Sequence, residues 1–511
     1  MQMTERRVSA ILRLILVGAL LATQVMLVVM LTRLLHQRMA LIYSLLELIA
    51  LIYAVRVYNR PGNTSYKVGW LLLILALPVV GLILYWLWSG NDPRKQLSLK
   101  KVPYPMVSQK EIAASRSNEA DLNQRFPMWK KVSAYLARQG FLLYNNTGME
   151  YFSGGETLLR DMLKKMEEAE HFIFMEYFIL AEGKLWEQIM DIFQRKTEEG
   201  VEIKIIFDDF GSMMRFPAEQ ITRLRDMGVE IRRFNPVHHY VNRLYFNYRD
   251  HRKITCIDGN IVYTGGVNIA DEYGNWIERF GYWKDCGIRM EGEGAWGLTK
   301  EFLYQWERLG GVFWQESDYY RPNRACNSEG FCQSIVDGPD KNPISTAEDL
   351  FLQLIHTARK EVFITTPYLA IAEPMIKALC MAGDSGVDVH LILPGIADHK
   401  IAYWVAECYF GELIKHDVKI FNFTPGLMHG KAVMADGEAA FVGSVNMDYR
   451  SFQLHFECGT VFYGMPAIDD LRRDMEEILS RSHRVTYEEW AHRPWHRRLF
   501  GSVLRLFAMW M

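Results

Sequence analysis

Apolar positions form long continuous runs near the N-terminus and short runs separated by polar residues in the rest of the chain. Three long runs, residues 14–31, 39–55 and 68–88, approach or reach the roughly 20 apolar residues that span a bilayer as a helix. Tryptophans near both ends of the third run, and the basic residues after it, are typical of a membrane interface with a cytoplasmic exit. We therefore predict a membrane region over residues 1–100, with two or three transmembrane helices.

Residues 101–124 are polar and mixed in charge, which predicts a linker. Beyond it, helical periodicity over residues 156–169 and 185–199 alternates with β-rich runs at 172–180, 201–207 and 229–234. The same order returns later, with helices near 347–358 and 374–381 and strands at 362–366, 387–393 and 418–423. This repetition predicts two α/β lobes, over residues 125–330 and 331–490.

Residues 491–511 place large apolar side chains on one face of a predicted helix and arginines elsewhere. The apolar face consists of Trp495, Leu499, Val503, Leu506 and Trp510. This amphipathic pattern favours a helix lying in the interface of an anionic membrane. A helix docked on the second lobe is the alternative.

Charge and cysteine content exclude several classes of protein. The 58 basic and 60 acidic residues nearly cancel, which argues against a whole-protein electrostatic grip on nucleic acid. The seven cysteines are scattered, with no C-x-x-C pair, so neither a disulfide framework nor a zinc site is predicted. We predict no metal and no cofactor, and the sequence does not indicate an oligomeric state.

One motif occurs twice with identical spacing. A single His-x-Lys-x4-Asp arises by chance in roughly one such chain in twenty, whereas two copies followed by the same Gly-Gly/Ser-x-Asn are a strong signal. The copies are His251, Lys253, Asp258, Gly265, Gly266 and Asn268, and His429, Lys431, Asp436, Gly443, Ser444 and Asn446.

These residue types suit attack on a phosphodiester. A neutral imidazole can act as the nucleophile while a second, protonated imidazole protonates the leaving alkoxide. Residues two apart in a strand share a face, so each histidine is predicted to point with its lysine, and the ammonium groups would stabilise charge on phosphorus oxygens. Asp258 and Asp436 complete the catalytic motif; because each has the opposite parity and opens an Asp-Gly turn, we expect it to fix the turn.

The remaining candidates support this chemistry. Gly266 and Ser444, with Asn268 and Asn446, are predicted to bind the substrate phosphate. Asp285 and Glu457, on strands that follow the motifs, are predicted to orient the histidines through the far ring nitrogen. Sequence symmetry does not assign which histidine is the nucleophile. Histidines outside the motifs, His455 among them, are predicted to be ordinary core residues.

The surroundings of both motifs resemble those of the phospholipase D superfamily, and over most of the chain those of bacterial cardiolipin synthases. The resemblance lies in residues 247–254, 265–273, 282–285 and 443–452, and in residues 63–67 before the third apolar run. It implies an α/β fold with two tandem phospholipase D-like lobes that share one active site, preceded by an N-terminal transmembrane region. It also implies that His251 is the nucleophile and His429 the general acid, then base.

By the same resemblance, the expected reaction transfers a phosphatidyl group from one phosphatidylglycerol to another through a phosphatidyl-histidine, giving cardiolipin and glycerol. The expected location is the cell membrane, as a multi-pass protein with cytoplasmic lobes. Three features depart from the family: Asp250 replaces the more usual amide, Gly430 replaces the common alanine, and an extra apolar run precedes the usual two. The nearest alternative is a hydrolase that releases phosphatidic acid; a nuclease and a noncatalytic membrane scaffold are weaker alternatives.

Overall fold

The computed structural model describes residues 22–23, 26–27, 30, 37–62, 64–88, 97, 99–104, 107–237, 247–313, 317–324, 326, 328–341 and 345–508. Most of the first predicted span, residues 14–31, lies outside this set. The chain divides into two compact units. The first comprises residues 1–98, 235–248 and 340–344, and the second comprises the remainder.

The first unit contains helices α1 (Gln37–Tyr58), α2 (Thr64–Ala76) and α3 (Pro78–Trp88). The predicted run 68–88 is therefore two helices, because Pro78 has no N–H to continue the helical hydrogen bonding. The rings of Trp70 and Tyr85 lie 5.3 Å apart, centroid to centroid. A straight helix would separate these positions by about 22 Å, so α2 and α3 fold back on each other.

Two further contacts define this helical hairpin. A Cβ at Gly81 would lie 2.5 Å from the carbonyl oxygen of Leu73, so only glycine allows this approach of α3 to α2. The Nη1 of Arg60 donates to the hydroxyl of Tyr85 at 2.7 Å. No helix in the described part of the chain combines the length and apolar character that a membrane span requires.

In the second unit, the first lobe is built on a seven-stranded sheet with the order β1-β9-β7-β6-β2-β3-β4. The strands of this lobe, including two short ones outside the sheet, are β1 (Thr147–Phe152), β2 (Phe172–Tyr177), β3 (Glu202–Asp208), β4 (Glu230–Phe234), β5 (Arg249–Asp250), β6 (Lys253–Ile257), β7 (Ile261–Gly265), β8 (Tyr282–Lys284) and β9 (Gly287–Gly292).

Two helices of this lobe come before its first strand in the sequence, and the others alternate with its strands. The helices are α4 (Gln109–Arg125), α5 (Lys130–Arg138), α6 (Gly155–Glu167), α7 (Lys184–Glu198), α8 (Asp209–Ser212), α9 (Ala218–Asp226) and α10 (Trp296–Arg308). Most of the predicted linker 101–124 is therefore helical, since α4 begins within it. The cause is a capping box in which Ser108 and Glu111 satisfy each other's backbone N–H groups.

The second lobe has a sheet with the order β10-β19-β17-β16-β11-β13-β14-β20. Its strands are β10 (Phe331–Asp337), β11 (Glu361–Thr365), β12 (Leu369–Ala370), β13 (Asp388–Pro394), β14 (Lys419–Phe423), β15 (Gly426–Met428), β16 (Ala432–Ala435), β17 (Ala439–Gly443), β18 (Met447–Asp448), β19 (His455–Tyr463) and β20 (Ser482–Arg484). Its helices are α11 (Thr346–Thr357), α12 (Glu373–Asp384), α13 (Lys400–Lys415), α14 (Tyr449–Gln453), α15 (Ala467–Ser480), α16 (Tyr487–Ala491) and α17 (Trp495–Arg505).

The two sheets have matching topology. In the first lobe β2, β3 and β4 run parallel, and β6 pairs antiparallel with both β2 and β7. In the second lobe β11, β13 and β14 run parallel, and β16 pairs antiparallel with both β11 and β17. The strands and helices predicted from the repetition are therefore present, and the two α/β lobes are confirmed.

Each lobe also has a short strand that pairs with a strand of the other lobe. Strand β5 of the first lobe pairs in parallel with β19 of the second, and β15 of the second pairs in parallel with β8 of the first. Each short strand ends immediately before a motif histidine. The backbone pairing therefore brings each histidine against a strand of the opposite lobe.

The C-terminal helix α17 packs on α13. A Cβ at Gly501 would lie 2.6 Å from the carbonyl oxygen of Trp404, so the two helices approach closely. On another face Trp495 is 72% exposed and Leu499 is 54% exposed. The docked arrangement and an exposed apolar face thus occur together in one helix.

Candidate active site

His251 is oriented by a carboxylate of the second lobe. Its backbone N–H donates to the carbonyl of Phe456 at 2.8 Å, and its Nδ1 lies 2.9 and 3.0 Å from the two oxygens of Glu457. Glu457 also accepts from the hydroxyls of Ser444 and Ser451. With Nδ1 and the backbone occupied, Nε2 is the ring atom left to react with a substrate.

His429 is oriented in the same way by the first lobe. Its backbone N–H donates to the carbonyl of Lys284 at 2.7 Å, and its Nδ1 lies 2.6 Å from Oδ2 of Asp285. The backbone N–H of Cys286 donates to the other oxygen of Asp285 at 2.9 Å. Each of the two carboxylates predicted to orient a histidine therefore contacts a motif histidine, and that histidine belongs to the opposite lobe.

The two motif lysines are buried beside their histidines. The ammonium of Lys253 donates to the carbonyl of His251, and that of Lys431 lies 2.9 and 3.1 Å from the ring nitrogens of His429. Burial lowers the pKa of Lys253 to about 7, and the charge of Lys431 acts in the same direction. Burial also lowers the pKa of Lys431, opposed by Asp285.

The environments of the two histidines differ in degree. Burial, followed by the charges of Lys253 and Lys431, lowers the pKa of His251 well below its ordinary value. Burial and Lys431 also lower the pKa of His429, but Asp285 raises it. Burial alone would raise the pKa of Asp285; contact with His429 and the charge of Lys431 make the net shift downward. Both rings thus lie against a carboxylate, and the pKa of His251 is lowered more strongly than that of His429.

Asp258 and Asp436 lie at the far ends of their strands. Asp258 accepts hydrogen bonds from the backbone N–H groups of Glu170, His171 and Phe172. Asp436 likewise accepts from the backbone N–H groups of residues 359–361. Five residues of strand separate Lys253 from Asp258 by about 16 Å. Asp258 and Asp436 thus anchor the backbone at the starts of β2 and β11, and the catalytic role predicted for them stays a prediction.

Gly266 and Ser444 occupy equivalent positions next to the carboxylates. A Cβ at Gly266 would lie 2.1 Å from Oδ1 of Asp285, so the absence of a side chain makes room for that carboxylate. The hydroxyl of Ser444 donates to Glu457 instead. Gly266 thus leaves space for Asp285, and Ser444 holds Glu457 by a hydrogen bond. The phosphate-binding role of both residues stays a prediction.

The two asparagines are buried with unequal hydrogen bonding. Asn268 accepts from the backbone N–H of Ile179 at 3.0 Å and donates to the hydroxyl of Tyr273 at 2.8 Å. The Oδ1 of Asn446 has no hydrogen-bond partner among the described residues. Their contact with substrate phosphate also stays a prediction.

Sequence reasoning missed two residues of the site. Ser451 donates to Glu457 at 2.7 Å, and the ring of His455 lies 5.4 Å from that of His251. His455 is buried, as predicted, but two-residue spacing from Glu457 on one strand should have placed it on the same face. Ring nitrogens of His251 and His455 and an oxygen of Glu457 lie within 4.8 Å of one another, close enough to hold a metal ion.

Two of the three departures from the family, Asp250 and Gly430, are accommodated locally. Asp250 pairs with Arg252 at 3.0 Å, and Arg252 also contacts Glu176 at 2.7 Å and Glu301 at 2.8 Å. A Cβ at Gly430 would lie 3.0 Å from the sulfur of Cys286, which is tight for alanine. Asp250 is therefore neutralised by a buried arginine, and Gly430 leaves space for a neighbouring sulfur.

Comparison with known protein families identifies both repeats. Residues 162–275 and 351–479 match the family described as cardiolipin synthase, PLD-like domain. Residues 46–90 match the family described as phospholipase D-nuclease N-terminal. The first family covers both histidine motifs, and the second covers the helical hairpin.

Relatives extend the similarity to nearly the whole chain. An uncharacterized protein of Streptococcus mutans is 36% identical over 460 residues, which are 88% of this chain and 97% of that protein. Cardiolipin synthase 2 of Bacillus cereus is 31% identical over 458 residues, 88% of either chain. The crystal structure of phosphatidylserine synthase from Haemophilus influenzae has a TM-score of 0.56 at 13% identity, over 71% of this chain and 95% of that one.

Proposed function

Because this chain belongs to the bacterial cardiolipin synthases of the phospholipase D superfamily, we propose that it joins two phosphatidylglycerol molecules into cardiolipin and releases glycerol. The chain is a phospholipase D-type phosphatidyltransferase. The observation that carries the proposal is the pair of buried histidines, each with Nδ1 on a carboxylate of the opposite lobe. Such a pair supplies a nucleophile and a proton donor on two sides of one phosphorus atom.

In the first step, Nε2 of His251 attacks the phosphorus of one phosphatidylglycerol. The bond from phosphorus to the headgroup glycerol breaks, and Nε2 of His429 gives its proton to the departing alkoxide. Glycerol leaves and the phosphatidyl group stays on His251. The lower pKa of His251 favours this assignment, because a nucleophile must be neutral.

In the second step, neutral His429 takes the proton from a headgroup hydroxyl of a second phosphatidylglycerol. The oxygen of that hydroxyl attacks phosphorus, the bond from phosphorus to His251 breaks, and cardiolipin forms. Both histidines return to their starting protonation states. Lys253 and Lys431 would stabilise negative charge on the phosphorus oxygens in both steps.

The N-terminal helices would anchor the enzyme in the cell membrane, with the lobes on the cytoplasmic face. Their exposed apolar side chains, such as Leu45, Leu48 and Ile52, support contact with lipid. Apposition to the membrane favours a lipid alcohol over water by local concentration. The multi-pass arrangement stays a prediction.

The test uses purified full-length protein in vesicles with phosphatidylglycerol as the phospholipid. Cardiolipin, glycerol and phosphatidic acid are quantified by mass spectrometry. We expect cardiolipin and glycerol in equal amounts, with loss of at least about 1000-fold in His251→Ala. A matched control is His356→Ala, since His356 is an exposed histidine at the end of α11.

The products separate the alternatives. Phosphatidic acid without cardiolipin would mean a hydrolase and would overturn the proposal. Full activity in His251→Ala would overturn the assigned nucleophile. Phosphatidyl-histidine trapped on His251 in a His429→Ala protein would support His251 as the nucleophile.

A further inference from the structure

A cavity of about 820 Å³ lies in the second lobe, between α13 and the C-terminal helices α16 and α17. Loop residues 395–397, Asn422 of β14, and His483 and Val485 complete its wall. The described residues that line it include none from the paired motifs. The cavity is therefore separate from the two histidines.

Two residues that line the cavity each have a buried hydrogen-bond acceptor without a donor among the described residues. Glu407 is 7% exposed, yet its Oε2 has no hydrogen-bond partner among the described residues. The Oδ1 of Asn422 is also buried and, within the described chain, has no partner. Burying such groups without a donor costs free energy, so a ligand with hydroxyl groups would stabilise the cavity.

The same cavity contains cationic groups. Arg493 and Arg497 line it, and the Nε of each is buried without a hydrogen-bond partner among the described residues. Lys400, His492 and His496 add positive or titratable groups to the lining. Arginine donors of this kind bind phosphate oxygens.

The exposed face of α17 lies beside the cavity. Trp495 and Leu499 are exposed on this helix, while His496 and Arg497 between them line the cavity. An amphipathic helix of this composition enters the headgroup region of a bilayer with its apolar face. A lipid whose chains remain in the bilayer could therefore place its headgroup in the cavity.

We propose that this cavity binds the headgroup of phosphatidylglycerol from the membrane surface, at a second lipid site distinct from the catalytic histidines. The phosphate lies against Arg493 and Arg497, and the glycerol hydroxyls donate to Glu407 and Asn422. An ethanolamine headgroup fits less well, because its single terminal polar group can reach only one of the two acceptors, and its ammonium would also lie near the guanidinium of Arg497, 3.5 Å from Glu407. The proposal rests on the membrane apposition of the proposed function.

The cavity is connected to the strand that carries His429. The backbone N–H of Ile396, in its wall, donates to the carbonyl of Gly426 at 3.1 Å. Gly426 begins β15, whose last residue precedes His429. A bound headgroup would hold this strand in place and keep a phosphatidylglycerol near the active site.

The test is calorimetric titration of the full chain with dihexanoylphosphatidylglycerol below its micelle concentration. His251→Ala protein is used so that no lipid is consumed. We expect a binding site that Arg493→Gln and Arg497→Gln each weaken at least about tenfold. Arg498→Gln, the neighbouring arginine of α17 outside the cavity, is the matched control and should leave binding unchanged.

Further titrations identify the ligand. Asn422→Leu should weaken binding of the glycerol lipid but leave binding of dihexanoylphosphatidic acid unchanged. Equal affinity for dihexanoylphosphatidylethanolamine would overturn the recognition of hydroxyl groups. Equal affinity for inorganic phosphate would overturn a lipid site, and equal binding by the Arg493, Arg497 and Arg498 variants would overturn the cavity as the site.

The outcome is independent of whether cardiolipin forms. An Arg493-dependent site, together with no cardiolipin formed by the wild-type protein, would contradict the proposed function but support the cavity as a lipid site. Cardiolipin formation by the wild-type protein, with no such binding site detected, would support the proposed function and contradict the cavity as a lipid site.

Discussion

Lys253 must be protonated to stabilise negative charge on the substrate phosphate, but its burial disfavours the protonated form. Its pKa is lowered to about 7, so the substrate-free enzyme loses this ammonium as the pH rises through neutrality. We expect kcat/KM to decline above about pH 7, because kcat/KM reports groups of the free enzyme. Lys253→Arg should move this decline to higher pH, since a guanidinium keeps its charge, even though the rate falls.

The measurement is a pH profile of kcat/KM for both proteins. Lys110→Arg, at an exposed position of α4, is the control and should reproduce the wild-type profile. An unchanged alkaline limb in Lys253→Arg would show that another group sets it.

Gly266 is predicted to be required for the position of Asp285. In Gly266→Ala the new Cβ would lie 2.1 Å from Oδ1 of Asp285, so the carboxylate must move away from His429. A displacement of about 1 Å costs roughly 100-fold in rate, and we expect kcat to fall by that amount with little change in Tm.

Gly274→Ala is the control, since its Cβ would meet Leu159 at an ordinary 3.4 Å. Ser444→Ala, at the equivalent position of the second lobe, removes one hydrogen bond to Glu457 without a clash and should cost less. Wild-type kcat in Gly266→Ala would contradict the positioning role.

At this scale the sequence predicts which side chains belong to the site better than it predicts which of them contact each other. Spacing and residue type were enough to pick Asp285 and Glu457, because a histidine in such a site needs a carboxylate. The crossed pairing was not accessible, since it depends on β5 and β15 joining sheets of the opposite lobe. Ser451 was missed for a similar reason: it lies in a short helix whose path a linear pattern does not predict.

Among the elements, the hairpin of α2 and α3 makes the clearest prediction. The helices have 13 and 11 residues, about 20 and 16 Å, against a hydrocarbon core of about 30 Å. If this hairpin enters the membrane, both ends stay on one side. Reporter proteins inserted after residue 62 and after residue 100 should therefore be accessible from the same face of the cell membrane.

A reporter inserted after residue 324, near the end of the first lobe, is the control and should match the one after residue 100. Reporters after residues 62 and 100 on opposite faces would mean that residues 68–88 cross the bilayer.

Helices and strands were predicted correctly where the apolar periodicity is strong. They were predicted wrongly where one or two residues determine where a helix begins or ends. The α/β alternation of both lobes follows from the sequence because apolar spacing repeats over many residues. Pro78 divides an apolar run of uniform composition, and Ser108 with Glu111 starts a helix in a polar segment. Local chemistry at these three residues outweighs the average pattern.

For the whole molecule, we expect the two lobes to unfold together. Asp474 of the second lobe accepts from the hydroxyl of Tyr151 at 2.6 Å and pairs with Lys284 at 2.5 Å, both in the first lobe. Removing one partner of a buried pair is strongly destabilising. Asp474→Ala should lower Tm by about 5 °C in a single calorimetric transition.

Glu476→Ala, an exposed acid on the same helix α15, is the control and should change Tm by less than about 1 °C. Two resolved transitions, or a loss of stability confined to one lobe, would contradict joint unfolding.

The exchange of carboxylates between the lobes bears on the ancestry of the enzyme. A single ancestral lobe would have had a histidine but no carboxylate in reach, unless a second copy stood opposite it about a two-fold axis. Fusion of such a homodimer into one gene would release each copy from identity with the other. Differences such as Asp285 against Glu457, or Gly266 against Ser444, would then follow because each half could mutate alone, and two formerly equivalent histidines could acquire different roles.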